Sequence, residues 1–375
     1  MNGHRKRWNF CIEHYNEEVL EFYSQHFGEE HRKCLFIGGA GFDPRSNIIV
    51  KQLFSIMSKR LHAIYIREER PDPDHELIKR AATNLKDAVE LGCSFDVLEI
   101  KIFADDNAVV GGMNISNALK KIDFSVYTDI VVDISAISVG VSFPAVSYVY
   151  EVAKNSERPI NVHLTVASDD ELDSLISSTP IDRVTDIRGF SIPNLMGEKE
   201  KAKLWLPLIS SAKKSVLKRI HAAEVPHDTC PIFPFPSDDP KKGDNLAINF
   251  VEELESEWEV DPRNFVYADE KRPLDIYRTI MRIDEERRPV FETFGGSMLI
   301  LSPLGNKMPA IGMLMAALER RFPVVYVEAL EYHVDWTKVD ALSMESVQTA
   351  HVWLYGEAYH GDIKNFETNE EKDKI

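Results

Sequence analysis

Cysteine is scarce, with four residues in a chain of 375, at positions 11, 34, 93 and 230. Their spacing makes neither a disulfide framework nor a zinc pattern, and Cys34 opens an apolar run in which a reduced, buried thiol is expected. No apolar run approaches the roughly 20 residues of a membrane helix. No apolar stretch follows His4, Arg5, Lys6 and Arg7 as a secretory signal requires. The expectation is a cytoplasmic protein with no membrane association. Positive charge is short as well: 44 Lys and Arg stand against 61 Asp and Glu, a formal net charge of −17. That argues against a general nucleic-acid-coating surface, since phosphate affinity rests on Lys and Arg. The densest basic stretch, 199–219, reads as a solvated helix face. The 12 histidines include no His-x-x-x-His or His-Glu-x-x-His spacing, and no Gly-x-Ser-x-Gly elbow occurs. No metal site is expected and no catalytic residue can be named. The acidic loop around Asp238 and Asp239 matches no calcium loop, and Asp244 reads as a helix N-cap.

What is present alternates between short apolar runs and amphipathic segments. Strands are predicted at 34–37, 61–66, 95–100, 130–134 and 160–166, with helices at 47–59, 75–91, 115–122 and 142–154. Val- and Ile-rich runs separated by helices are what a parallel sheet covered on both faces requires. The spacing of Leu204, Trp205, Leu208, Ile209, Val216, Leu217 and Ile220 predicts a helix over 198–224. Five prolines in 226–242 predict a loop or edge, with Ile232, Phe233 and Phe235 packing it onto the body. Beyond it, strands are predicted at 264–267, 297–301, 324–328 and 351–355, and helices at 244–257, 274–286 and 306–321. The fold class is therefore α/β, with two Rossmann-like units of mainly parallel, doubly wound sheets. The expected organisation is a helical extension (1–30), a first unit (31–197), a helix and Pro-rich connector (198–242), a second unit (243–366) and a charged tail (367–375).

Two loops in this pattern suit an anion. The first, 38–45, holds Gly38, Gly39, Gly41, Asp43 and Arg45 directly after an apolar strand. The second, 302–307, holds Ser302, Gly305 and Lys307 after another. Small residues at the carboxyl end of a strand let backbone N–H groups and a helix N-terminus face phosphate, and Arg45 and Lys307 would add charge. Asp43 and Pro44 are also accounted for by helix capping alone. Asp133 and Ser135 end a third strand and are expected to face the same crevice as 38–45, although Asp and Ser at such a junction also serve as local turn formers. Lys307 would sit in the first turn of a helix, where a cation is disfavoured unless an anion is bound. Glu270, Glu328 and Tyr332 are expected near that second crevice.

The segment Gly39-Ala40-Gly41-Phe42-Asp43-Pro44-Arg45 resembles the Gly-Ala-Gly-x-Asp-x-Arg cofactor loop of leucine carboxyl methyltransferase-like enzymes. The resemblance implies S-adenosylmethionine as cofactor, and an acidic residue at the end of the second strand, here Glu68 or Glu69, holding ribose hydroxyls. It covers about eight residues, and a second α/β unit with its own loop departs from it. The favoured expectation is a protein that binds a nucleotide or nucleotide-derived phosphorylated ligand, as sensor or enzyme. The alternatives are an S-adenosylmethionine-dependent methyltransferase, and a scaffold subunit that docks a protein partner through its acidic surface.

Overall fold

The computed structural model describes residues 6–191 and 201–359. Its largest sheet has seven strands, in the order Ser94–Lys101, Leu61–Glu69, Cys34–Gly39, Asp129–Asp133, Asn161–Ser168, Gln348–Tyr355, Ile12–Tyr15. The first five run parallel, and Gln348–Tyr355 is antiparallel to both of its neighbours. Every residue of the three central parallel strands is buried. This is why their sequences read as continuous Val/Ile runs and do not alternate. The helices Ile48–Met57, His75–Glu90, Gly111–Leu119 and Val139–Lys154 lie between the strands in sequence.

A second parallel sheet is centred on Ala202–Pro207, which pairs with Ser297–Ser302 on one side and Asp228–Thr229 on the other. The parallel bridge Leu208 to Ile232 continues the pairing of the first strand with 228–234, which counts as one strand, and the bridge Leu301 to Val324 adds a strand beyond Ser297–Ser302. Ile232–Pro234 then pairs with Val266–Ala268, and Val325–Tyr326 with the antiparallel Thr185–Asp186. Numbered along the chain within each sheet, the parallel strands of both lie in the order 3-2-1-4-5. The chain therefore carries two Rossmann-like α/β halves of the same topology.

Three departures from the sequence reading have physical causes. Ala202–Pro207 is a strand, with Leu204, Trp205 and Leu206 buried, and the helix begins only at Lys214. A short, continuous apolar run fits a buried strand as well as a helix face, and periodicity cannot separate them. Residues 192–200, the start of that predicted helix included, lie outside the described residues. The Pro-rich segment is interior to the second sheet up to Phe233, because its prolines stand at the ends of the short strands Asp228–Thr229 and Ile232–Pro234. Gln348–Tyr355, late in the sequence, joins the first sheet. The charged tail 367–375 lies outside the described residues.

One apolar cluster runs through both sheets, from Trp8 and Leu35 through Ile130 and Leu164 to Leu204, Ile300 and Leu314. A smaller one packs Val19, Tyr23, Phe36, Leu53 and Met57 on the other face of the first sheet. No helix among the described residues is long and apolar enough to cross a membrane.

Candidate functional site

The carboxyl ends of both parallel sheets open onto one cleft of about 1200 Å³. Gly41, Phe42, Glu68, Glu69 and the loop 136–139 line it from the first sheet. Leu208, Ser210, Lys213, Glu270, Gly305 and Glu328 line it from the second. In a parallel sheet each crossover helix starts at the carboxyl end of the preceding strand. The N-termini of Val139–Lys154, Lys214–Glu224 and Lys307–Arg320 therefore sit around this space.

The glycines of the first loop divide by role. A Cβ on Gly39 would lie 2.4 Å from the Ala136 carbonyl oxygen, so this glycine lets the loop after Asp133 cross the strand. A Cβ on Gly38 would strike the Phe36 ring. Gly41 lines the cleft, and a Cβ there would find only the Ala136 oxygen, at 3.8 Å. Of the three, Gly41 is the one with room for a ligand.

Asp43 and Arg45 are committed to each other. The Asp43 Oδ1 accepts from the Arg45 backbone N and Nε, both at 2.9 Å, and Oδ2 accepts from Nη2 at 2.7 Å. Arg45 Nη1 lies 2.7 Å from Asp173 Oδ1, and Arg45 is only 2% exposed. Burial raises the Asp43 carboxyl, but the Arg45 guanidinium outweighs it and holds the group below its usual range. Arg45 is thus a structural ion pair and not a free phosphate contact.

Asp133 and Ser135 do not line the cleft. Both are fully buried, the Asp133 Oδ1 accepting from the Ser135 backbone N at 3.1 Å and from its hydroxyl. Ser135 Oγ in turn accepts from the Ala167 backbone N at 2.7 Å. They shape the loop 134–138, the turn-forming role open to them from sequence. Burial pushes the Asp133 carboxyl up to about 7.

Glu68 is also engaged. Its Oε1 accepts from the Ser138 backbone N at 2.7 Å, and Oε2 from Arg70 Nη2 at 2.8 Å. Arg70 reaches on to Glu328 Oε1 at 3.0 Å, tying the first sheet to the second. Its neighbour Glu69 lines the cleft with a carboxylate that has no hydrogen bond or ion pair among the described residues. At the end of the second strand, Glu69 and not Glu68 is the carboxylate left without a partner among the described residues.

In the second loop, Ser302 is buried and accepts from Trp205 Nε1 at 2.9 Å. Gly305 adopts φ +112°, which favours glycine, and abuts Ser210 at the cleft. Lys307 spends its three donors on the carbonyls of Ile134, Ser135 and Ile137, at 2.9 Å for the first and 3.2 Å for the last. Burial and then Arg45 lower its pKa. Lys307 is a staple between the two units and keeps no donor for an anion.

The cation that sequence reasoning passed over is Lys213. It closes the turn Ser211–Lys213 just before the helix Lys214–Glu224, and its Nζ donates to Ser178 Oγ at 2.9 Å. Burial lowers its pKa, and no carboxylate pairs with it among the described residues. By contrast, Lys242 in the same cleft is neutralised by Asp170 at 2.7 Å and by Glu270. The only sequence signal for Lys213 was its place in the loop after a strand, and that strand read as a helix. The described lining holds neither histidine nor cysteine, so imidazole and thiol chemistry have no group there.

No protein-family profile and no curated protein matches the chain. Among solved structures it is similar to a protein of unknown function from Pseudomonas aeruginosa PAO1, at 9% identity over 80% of this chain and 94% of that one, with a TM-score of 0.25. It is also similar to a universal stress protein from Archaeoglobus fulgidus DSM 4304, at 12% identity over 79% of this chain and 96% of that one, TM-score 0.25. Likenesses this distant do not bear on the site.

Proposed function

We propose that the protein binds a nucleotide or nucleotide-derived phosphorylated ligand in the cleft between its two sheets, and acts on it in the cytoplasm as sensor or enzyme. The observation that carries this reading is Lys213, a half-buried cation with no counter-charge among the described residues, at a helix N-terminus facing the cleft. Both burial and the helix dipole disfavour a lone cation there, and an anion relieves both. Phosphate is assigned to Lys213 with Ser210 and Gly305. The nucleoside is assigned to Gly41 and Glu69, beside the apolar shelf of Ile66, Leu77 and Ala81. Glu68 is turned to Ser138 and Arg70, so of the two ribose-binding candidates of the methyltransferase resemblance only Glu69 is left, and what favours a phosphorylated ligand over S-adenosylmethionine is the cation Lys213.

The test is a thermal-shift panel of nucleotides, dinucleotides and S-adenosyl compounds on wild type and Lys213→Met. A nucleotide at one hundred times its dissociation constant should stabilise wild type by about 2.7 kcal/mol. The variant should fold and lose most of that gain. Equal stabilisation of both proteins, or none by any phosphorylated compound, would overturn the reading.

A further inference from the structure

Away from the cleft, the first sheet gathers four histidines and an aspartate that are far apart in sequence. Asp129 begins a central strand, His163 and His351 come from the next two strands, His14 from the edge strand, and His26 ends the helix Glu17–His26. His163, His351 and Asp129 are 0% exposed and His26 9%. The Phe22 ring covers the group, stacked on His14, His26 and His351 at centroid distances of 4.5, 5.0 and 4.5 Å.

The donors crowd onto one oxygen. Asp129 Oδ1 lies 2.8 Å from His26 Nε2, 3.2 Å from His163 Nε2 and 2.9 Å from Asn161 Nδ2. Arg32 Nη1 stands 3.5 Å from it, while the same guanidinium pairs outward with Glu29 and Glu357. A carboxylate oxygen offers about two lone-pair sites, so these N–H groups compete. The ligating atoms of His26, Asp129 and His163 all lie within 4.8 Å of one another. Two imidazoles and a carboxylate are a common zinc donor set, with bonds of about 2.0–2.2 Å.

We propose that His26, Asp129 and His163 hold a divalent transition-metal ion, zinc by the chemistry of the donors, as a structural clasp between the helix Glu17–His26 and the first sheet. An ion there replaces the two competing imidazole N–H donors and leaves Asn161 to serve Oδ1 from outside. Thr128 Oγ1 already donates to the other oxygen, at 2.6 Å. The remaining histidines orient the ligand. His163 Nδ1 lies 2.9 Å from His351 Nε2, and His351 Nδ1 lies 2.9 Å from His14 Nδ1. With protons running outward, His163 Nδ1–H donates to His351 and His351 Nδ1–H to His14, which leaves His163 Nε2 free to ligate. His351 and His14 are then positioning residues of the kind that fixes a ligand's tautomer.

The experiment uses the full chain. Elemental analysis of the purified protein should find about one equivalent of transition metal. Cobalt(II) added to chelator-stripped protein should give a visible d–d band, and zinc should displace that band and raise Tm. His26→Gln should abolish the band, and exposed His75→Gln should keep it. His14→Gln, which alters only the outer end of the chain, should fold and weaken cobalt affinity about 10–100-fold. Metal-free purified protein with no cobalt band and no zinc shift in Tm would overturn the proposal, leaving a purely hydrogen-bonded network. So would a band that survives in His26→Gln, which would mark adventitious binding elsewhere. Should His26→Gln fail to fold, the wild-type measurements and His14→Gln still decide.

Discussion

Gly39 and Gly41 stand two residues apart and should respond oppositely to a side chain. Gly39→Ala puts a methyl into the Ala136 backbone carbonyl, and overpacking of this kind costs typically about 1–3 kcal/mol. Gly41→Val has space, so the fold should stay cooperative while the branched side chain fills the cleft and abolishes nucleotide stabilisation. Urea titrations with and without ligand check both, and unaltered ligand stabilisation in Gly41→Val would remove the first loop from the site. Lys307→Met is the third test at this scale. Three buried carbonyls lose their donor, so the ligand-free protein should lose roughly 1–3 kcal/mol for each acceptor left unsatisfied. An idle surface lysine would show no such loss. Asp133 sets a pH dependence. Its folded pKa of about 7 exceeds its ordinary value of 3.8, so the native state holds the proton more tightly than the unfolded chain. The contribution is fully present below about pH 4 and is lost as pH rises toward 7. Asp133→Asn should flatten that part of the stability profile, as measured by denaturant unfolding at pH 4.5 and 7.5.

Among elements, the Pro-rich segment shows how one stretch of sequence can serve two ends. Cys230, Ile232 and Phe233 are buried within the second sheet, whereas residues 238–241 are exposed. Local opening is cheapest where few buried contacts must break. Limited digestion with a nonspecific protease should therefore cut 226–242 at 237–241 and spare 228–234 until global unfolding. Early cleavage at 228–234 would mean that these short strands are not held in the sheet. The elements bounding the cleft follow the same logic: the turn carrying Lys213 is placed by the strand Ala202–Pro207, and only recognition of that strand puts the lysine at a carboxyl end.

At the scale of the whole molecule, the two α/β halves share one apolar cluster and are joined by the Arg70–Glu328 pair and the Lys307 staple. The first sheet is completed by Gln348–Tyr355, which pairs with Asn161–Ser168 on one side and Ile12–Tyr15 on the other. We propose that the halves are units of architecture that depend on one another for stability. A fragment of residues 31–197 lacks that strand and exposes the apolar edge beneath it. It should show no cooperative unfolding transition by circular dichroism, where the full chain should show one. A cooperative fragment would establish the first unit as self-sufficient.

The α/β class, most of the strands and the two glycine-bearing loops were legible in the sequence, because burial on both faces writes continuous apolar runs and crossover helices write amphipathic ones. Residues such as Gly41 and Gly305 were legible for a similar reason, since small residues at strand ends are a local necessity. The direction of each charged side chain was decided only in three dimensions. Arg45, Asp133, Glu68 and Lys307 all have the residue type of a binding group, yet each is consumed by a partner in the fold. For Lys307 the partners, and for Arg45 the partner Asp173, lie more than a hundred residues away in the chain. Lys213 and Glu69 line the cleft for the converse reason: among the described residues neither forms an ion pair. Asp43–Arg45 and Glu68–Arg70 pair two residues apart, but the contacts of Arg45 with Asp173, Arg70 with Glu328 and Lys307 with Ile134 depend on distances across the assembled sheets, which spacing along the chain does not carry.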